Sequence, residues 1–188
     1  MVEAKRKVRD GLGGENKVST TQAPLEFTGH KHLRQVLTLS LLSGRQVIVK
    51  NIRSNHSNPG LLPYEVNLLG LIEKVTNGCQ ISINKTGTRL IFRPGIIDAN
   101  DGVEVQHDCD LARSITYYLE VICLLGIFGK TELNVTLTGN TDDAKDQSVD
   151  SFARAFNFIV NLCSAPSAQI KVVKRGFAPR GGGLVTLR

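Results

Sequence analysis

The chain has 188 residues, of which 41% are hydrophobic, with 18 glycines besides; this is a globular composition and enough length for one domain or two small ones. The formal net charge is +6 and the pI is near 9.3, which favours an anionic partner, while an aromatic content of 5% without tryptophan suits phosphate contacts better than base stacking. No apolar run approaches the ~20 residues that span a bilayer, and the N-terminus lacks the apolar core of a signal peptide, so an intracellular protein without membrane contact is expected.

Residues 1–23 set Lys5, Arg6, Lys7, Arg9 and Lys17 against Glu3, Asp10 and Glu15 with little apolar content. A flexible basic tail is expected, able to touch RNA or carry a nuclear address, and equally able to be merely solvated. From Leu25 to Phe27 the pattern reads as a short strand. Leu33, Val36, Leu37 and Leu41 then recur at helical spacing, with Gly44 as the stop. Val47–Ile52 reads as a buried strand. Asn58 and Pro59 are expected to open a second helix with Leu61, Leu68, Leu69, Ile72 and Val75 on its buried face, Pro63 in its first turn and Gly78 at its end. Two strands follow, 80–84 and 88–92, joined through Lys85, Thr86 and Gly87 as a tight hairpin.

The same order then recurs. Val103 and Val105 alternate as a strand, and Leu111, Ile115, Tyr118, Leu119 and Ile122 form a helix behind the cap Asp110. Leu133, Val135 and Leu137 alternate again. Val149, Phe152, Ala153, Phe156, Ile159, Val160 and Cys163 follow the i, i+3, i+4, i+7 spacing of a helix, and 170–174 with 184–187 make a closing strand pair. Matching elements lie about 80–90 residues apart, the signature of an internal duplication. The expected fold is therefore α+β: two tandem βαβαββ repeats, 24–97 and 98–188, each a small sheet covered by two helices, both within one domain. The chain stops at Arg188 directly after the last strand, as a domain cut short would.

Catalytic signatures are sparse. Cys79, Cys109, Cys123 and Cys163 form no Cys-x-x-Cys pair and are expected to be reduced core thiols. His30, His32, His56 and His107 lack a metal-binding spacing and are expected to be solvated or phosphate-facing. Asp142, Asp143, Asp146 and Asp150 suit the N-terminus of the fourth helix and require no metal. Three loops are more unusual. Residues 53–60 lead from a strand toward a helix N-terminus, where free N–H groups favour an anion; Arg93, Pro94 and Gly95 follow a hairpin strand; and Lys174, Arg175 and Arg180 precede Gly181, Gly182 and Gly183.

The ordered residues Asn58, Pro59, Gly60, Leu61 and Leu62, then Asn77 and Gly78, Thr86, Gly87 and Thr88, and Phe92, Arg93, Pro94 and Gly95 carry a resemblance, supported by Leu33, Arg34, Ile52, Arg53 and the closing Lys174, Arg175, Gly176, Pro179 and triple glycine. Over about residues 25–188 the chain resembles the RNA 3′-terminal phosphate cyclase family and, within it, the eukaryotic cyclase-like branch of ribosome biogenesis. Family members run to roughly twice this length, so the resemblance implies an N-terminal half.

The same resemblance exposes departures. True cyclases carry Glu followed by Gly-Gly-Gly-Gln where this chain has Phe27, Thr28, Gly29, His30 and Lys31. They carry Arg at His56, and Arg-Gln-His where Pro63, Tyr64 and Glu65 stand. Losing a carboxylate at Phe27 and placing negative charge at Glu65 disfavour a bound polyphosphate. The family's adenylylated histidine lies beyond this chain. The resemblance therefore implies a non-catalytic assembly factor in small-subunit ribosome biogenesis and pre-rRNA processing, nuclear and nucleolar, entering the pre-ribosome with a nucleolar GTPase and meeting pre-rRNA and small-subunit processome components. Arg34, Arg53, Arg93, Lys174, Arg175 and Arg180 are the candidate contacts to phosphate or to an acidic partner. No cofactor and no metal are expected. The alternative is an active ATP-dependent cyclase. An endonuclease role is associated with the family, but no carboxylate pair or metal-ligand set here requires it.

Overall fold

Local spacing accounts for most of the elements. In a computed structural model describing residues 23–98, 104–129, 132–163, 165 and 168–188, the first strand, β1 (Leu25–Thr28), precedes helix α1 (Leu33–Ser43), whose Leu33, Leu37 and Leu41 are buried and which Gly44 closes at φ 67°. Strand β2 (Val47–Lys50) is shorter than the expected 47–52: Asn51 and Arg53 adopt positive φ, which ends the extended run. Helix α2 (Pro63–Val75) opens at Pro63, not at Asn58 or Pro59. Proline at the first helical position lacks only an N–H that would be unpaired there, so the chain turns through residues 53–60 before the helix begins. The short β3 (Thr76–Asn77) leads to β4 (Gln80–Ile83) and β5 (Leu90–Arg93), and β6 (Ile96–Ile97) pairs back on β3.

In the second half, β7 (Val105–Asp108) is followed by α3 (Thr116–Phe128), β8 (Val135–Gly139), α4 (Val149–Leu162), β9 (Ile170–Lys174) and β10 (Gly183–Leu187). Val103 and the tail over 1–22 lie outside the described residues. Asp110 does not cap α3, which starts at Thr116 behind Ile115; its carboxylate instead accepts from the Ala112 N–H in a local turn, and Leu111 is 41% exposed. Helix α4 is capped by Ser148, which accepts from the Ser151 N–H.

Two four-stranded sheets result, ordered β1-β2-β5-β4 and β7-β8-β10-β9. In each the first pair is parallel and the others antiparallel. The mixed α+β class expected from the pattern is present. One contiguous core draws on both halves, with Leu37, Ile52, Leu68, Ile72, Phe92, Ile115, Tyr118, Leu119 and Ile122 essentially without exposure, each such side chain worth about 1.5–3 kcal/mol. Helix α3 reads as apolar nearly all round because it is packed on α1 as well as on its own sheet. Not every apolar position is inward. Ile159 is 58% exposed, Cys163 is exposed and Cys79 only half-buried, so the core thiols are Cys109 and Cys123.

His107 also departs from expectation. It sits on an inward position of β7 and is buried, with Nε2 2.8 Å from Asn67 Oδ1 and Nδ1 without a partner. Since Asn67 Oδ1 is an acceptor, Nε2 donates to it, and the buried Nδ1 has no acceptor that would favour a second proton there. Burial, with the Lys74 cation second, pulls its pKa from 6.5 down to about 4, against a smaller opposing pull from Asp108. The unfolded chain therefore takes up a proton near pH 6.5 that the folded chain refuses until about pH 4. This contribution to stability is complete above the higher value and is lost as pH falls between the two, by up to about 3 kcal/mol. Urea unfolding at pH 7 and pH 4.5 should show a smaller pH-dependent loss in His107→Gln than in the parent; equal losses would contradict the assignment.

Candidate functional site

The turn after β2 brings Arg53 back over the start of α2. Arg53 holds φ 47°, a left-handed conformation that costs a non-glycine residue roughly 1–2 kcal/mol, and two anchors hold it there. Gly60 approaches the hairpin loop so closely that an added Cβ would lie 2.4 Å from Thr86 O, and the guanidinium clamps Glu65. Arg53 Nη1 and Nη2 each donate to the Glu65 carboxylate at 2.7 Å, and Nη1 also reaches Gly60 O at 3.1 Å. Glu65 Oε2 further accepts the Leu62 N–H at 2.8 Å, so the same carboxylate caps the N-terminus of α2. The residues are 9% and 3% exposed, and the Glu65 hydrogen bond raises the Arg53 pKa, keeping it charged. The helix terminus and the arginine, which the sequence suggested would receive an external anion, are occupied by the protein's own carboxylate. Glu65 does not point negative charge at an empty seat: Arg53 neutralises it.

Around this pair lies a wider cluster joining the two halves. The Tyr64 and Tyr117 rings meet edge to face at 5.3 Å. Arg113 lies 4.3 Å from the Tyr117 centroid and 5.1 Å from that of Tyr64, and Arg34 lies 4.3 Å from Tyr117. Each cation is answered: Arg34 by Glu120 at 2.5 Å, and Arg113 by both oxygens of Asp146, with Nε donating at 2.7 Å. The Asp146 hydrogen bond raises the Arg113 pKa further above its ordinary value, and burial pushes the Tyr117 phenol up as well. Aromatic faces and carboxylates thus share Arg34, Arg53 and Arg113 without leaving a bare positive surface.

Beside the cluster, an open cleft of about 320 Å³ is lined by Phe27, His30, Val36 and Val49. The His30 and His56 rings meet at its side, 5.8 Å apart and edge to face. Burial, aided by the Arg53 cation, lowers the His30 pKa. Phe27 is 39% exposed and His56 exposed, so the substituted positions Phe27, His56, Tyr64 and Glu65 surround one region of the first half.

The other expected cations lie elsewhere. Arg93 is exposed between Gln46 and Gln80, donating to them at 3.3 and 3.4 Å. Arg175 forms a bidentate surface pair with Asp150 at 2.6 and 3.1 Å. Lys174 and Arg180 are exposed, and neither has an ion-pair partner among the described residues. The acids at the start of α4 divide accordingly: Asp146, before the helix, holds Arg113, and Asp150, in its first turn, holds Arg175. The sequence reading missed Arg113, Tyr117 and Glu120. Arg113 lies in a turn with no periodic signal, and its partner is 33 residues away. Among the described residues no group of three or more His, Cys, Asp or Glu is placed to hold a metal, and no helix is long and apolar enough to cross a membrane.

Fold and cluster together define an α+β protein of paired small mixed sheets, joined through an arginine–tyrosine–carboxylate centre whose charges are matched internally. The family model for RNA 3′-terminal phosphate cyclase matches residues 25–188, and the chain belongs to that family. It is 45% identical over 164 residues to a probable RNA 3′-terminal phosphate cyclase-like protein of Arabidopsis thaliana, covering 86% of this chain and 43% of that protein. It is 41% identical over 170 residues to the RNA 3′-terminal phosphate cyclase-like protein of Homo sapiens, covering 89% and 45%. Against the rRNA processing protein rcl1 of Schizosaccharomyces pombe the identity is 38% over 169 residues, covering 85% and 44%. The chain spans less than half the length of these curated relatives.

Proposed function

We propose that this chain acts as part of a non-catalytic cyclase-like assembly factor in ribosome biogenesis, in the processing of small-subunit pre-rRNA. The observation that carries the reading is the buried Arg53–Glu65 pair. A polyphosphate entering at the start of α2 has to displace a carboxylate held by both Arg53 nitrogens and the Leu62 amide, and breaking a buried pair of this kind costs about 3–5 kcal/mol. Phe27 supplies no carboxylate at the neighbouring cleft. The name of the fission-yeast relative, an rRNA processing protein, supports the biological setting. In this proposal the two sheets of like order are tandem βαβαββ units derived by duplication, the protein works in the nucleolus, and it reaches the pre-ribosome with a GTPase.

Incubation with ATP and an RNA bearing a 3′-phosphate, beside an active cyclase, tests the reading. No covalent AMP and no cyclic phosphate end are expected. A cyclic end would overturn the proposal in favour of an active ATP-dependent cyclase. Depletion of the encoded protein is expected to leave small-subunit rRNA precursors unprocessed; normal processing would remove the ribosomal role.

A further inference from the structure

The second sheet has two free edges that are treated differently. At β7 the outward carbonyls are covered by α2: Lys74 Nζ donates to Gln106 O at 2.9 Å and Asn67 Nδ2 to Asp108 O at 3.0 Å. Strand β9 pairs with β10 alone, and no side-chain donor covers its other edge among the described residues. An open groove of about 870 Å³ runs between β9 and α4 instead, with Ala153, Ile170 and Val172 along it and Arg154, Asn157 and Lys171 at its walls. Asn157 Oδ1 is left without a hydrogen-bond partner.

The charge on this edge is mainly positive. Arg154, Lys171, Lys174 and Arg175 are exposed, and the one carboxylate lining the groove, Asp150, is paired with Arg175, which leaves Arg154, Lys171 and Lys174 without an ion-pair partner among the described residues. A register shift opposite Leu184 and Val185 leaves Val173 out of the pairing, 53% exposed. Bulges and lysines are the devices by which an edge strand refuses its like; a second copy of β9 would set lysine against lysine, which is repulsive. The same lysines attract a strand that presents carboxylates.

We propose that β9 is the docking edge for an extended acidic peptide of a partner protein, added as a further strand. Its backbone pairs with the free edge, its apolar alternate side chains lie in the groove against Ala153, Ile170 and Val172, and its carboxylates meet Lys171 and Lys174. RNA would find the same charge there, but no aromatic ring lines the groove to stack a base, whereas the strand edge offers the donors and acceptors that a peptide needs. The inference does not depend on the ribosomal reading.

The probe is a fluorescein-labelled octapeptide alternating valine with glutamate, titrated against the whole chain by anisotropy with amide exchange followed over residues 170–174. Controls are the same peptide with lysine for glutamate, and an oligouridylate. Binding of the acidic peptide, slowed exchange in β9 and no binding of the basic peptide are expected. The Lys171→Glu, Lys174→Glu double variant should bind roughly tenfold or more weakly; both side chains are exposed, and an unchanged Tm verifies its fold. Absence of acidic-peptide binding, unchanged affinity in the double variant, binding without protection of β9, or stronger binding of the oligouridylate at these residues would each overturn the proposal.

Discussion

Glu65→Ala is expected to destabilise the protein by about 3–5 kcal/mol in urea unfolding, among the largest single effects available in this chain. Removing Glu65 leaves the Arg53 guanidinium buried without its anion, and it strips the cap from the Leu62 amide; an uncompensated buried charge is the costly half of a broken ion pair. Arg53 is also held at φ 47°, so loss of the clamp frees the turn to relax out of its strained conformation. Arg53→Met combined with Glu65→Leu should cost clearly less than the two single changes added together, because neither charge is then stranded. A further expected result separates this account from simple loss of packing. In Glu65→Ala the vacated seat faces an arginine and a helix N-terminus, so inorganic phosphate should raise its Tm more than that of the parent. Equal phosphate responses, or fully additive single effects, would show that the pair is not the coupled anion seat described.

Gly176→Ala should be comparably severe, lowering stability by about 3 kcal/mol or preventing folding. A Cβ at this position would lie 2.0 Å from Gly183 N, 2.5 Å from Gly181 O and 2.7 Å from Gly139 O. These contacts are with backbone, which cannot swing aside as the end of a side chain can. The crowding has a structural purpose: Gly176 O accepts both the Thr141 N–H at 2.8 Å and the Thr141 hydroxyl at 3.1 Å, tying the β9–β10 connection to the segment after β8. Gly182→Ala is the control, since nothing lies within 4 Å of its added Cβ and only the strain of its φ of 78° remains, about 1 kcal/mol or somewhat more. A Gly176→Ala loss no larger than that of Gly182→Ala would mean that the loop can open to accept the methyl group.

Arg175 with Asp150 gives the contrasting case. The geometry is bidentate, yet both side chains are largely in water, and such exposed pairs contribute little. The short distances at Arg53–Glu65 and Arg175–Asp150 are alike; burial is what separates a strong expected effect from a weak one.

The candidate site was legible only as a set of unusual positions. Phe27, His56, Tyr64 and Glu65 stand out when the chain is read beside its family's pattern, and they surround one region of the first half. Their roles were not legible. Glu65 reads as an obstructing negative charge and Arg53 as a free phosphate ligand, because a string of residues does not show that the two face each other and cancel. Arg34 likewise reads as a surface cation, although it spans α1 and α3 to reach Glu120 and the Tyr117 carbonyl. Asp146 reads as a helix-terminus acid, whereas it holds Arg113.

What the amino-acid order determined by itself is the run of elements and the family. Helical and strand periodicities relate residues two to four positions apart, so Leu33, Leu37 and Leu41 or Val135 and Leu137 reveal their buried faces locally, and the ordered motifs from Asn58 to Gly95 need no coordinates to be matched. Tertiary structure decided where charge and polarity end up. The ion-paired partners at the centre, Arg53–Glu65, Arg113–Asp146 and Arg34–Glu120, are 12, 33 and 86 residues apart in sequence, and no local pattern encodes which cation meets which carboxylate. Burial of His107 and exposure of Ile159 have the same origin. Each depends on what another segment places against that residue, and desolvation and ion pairing are properties of that meeting rather than of either residue alone.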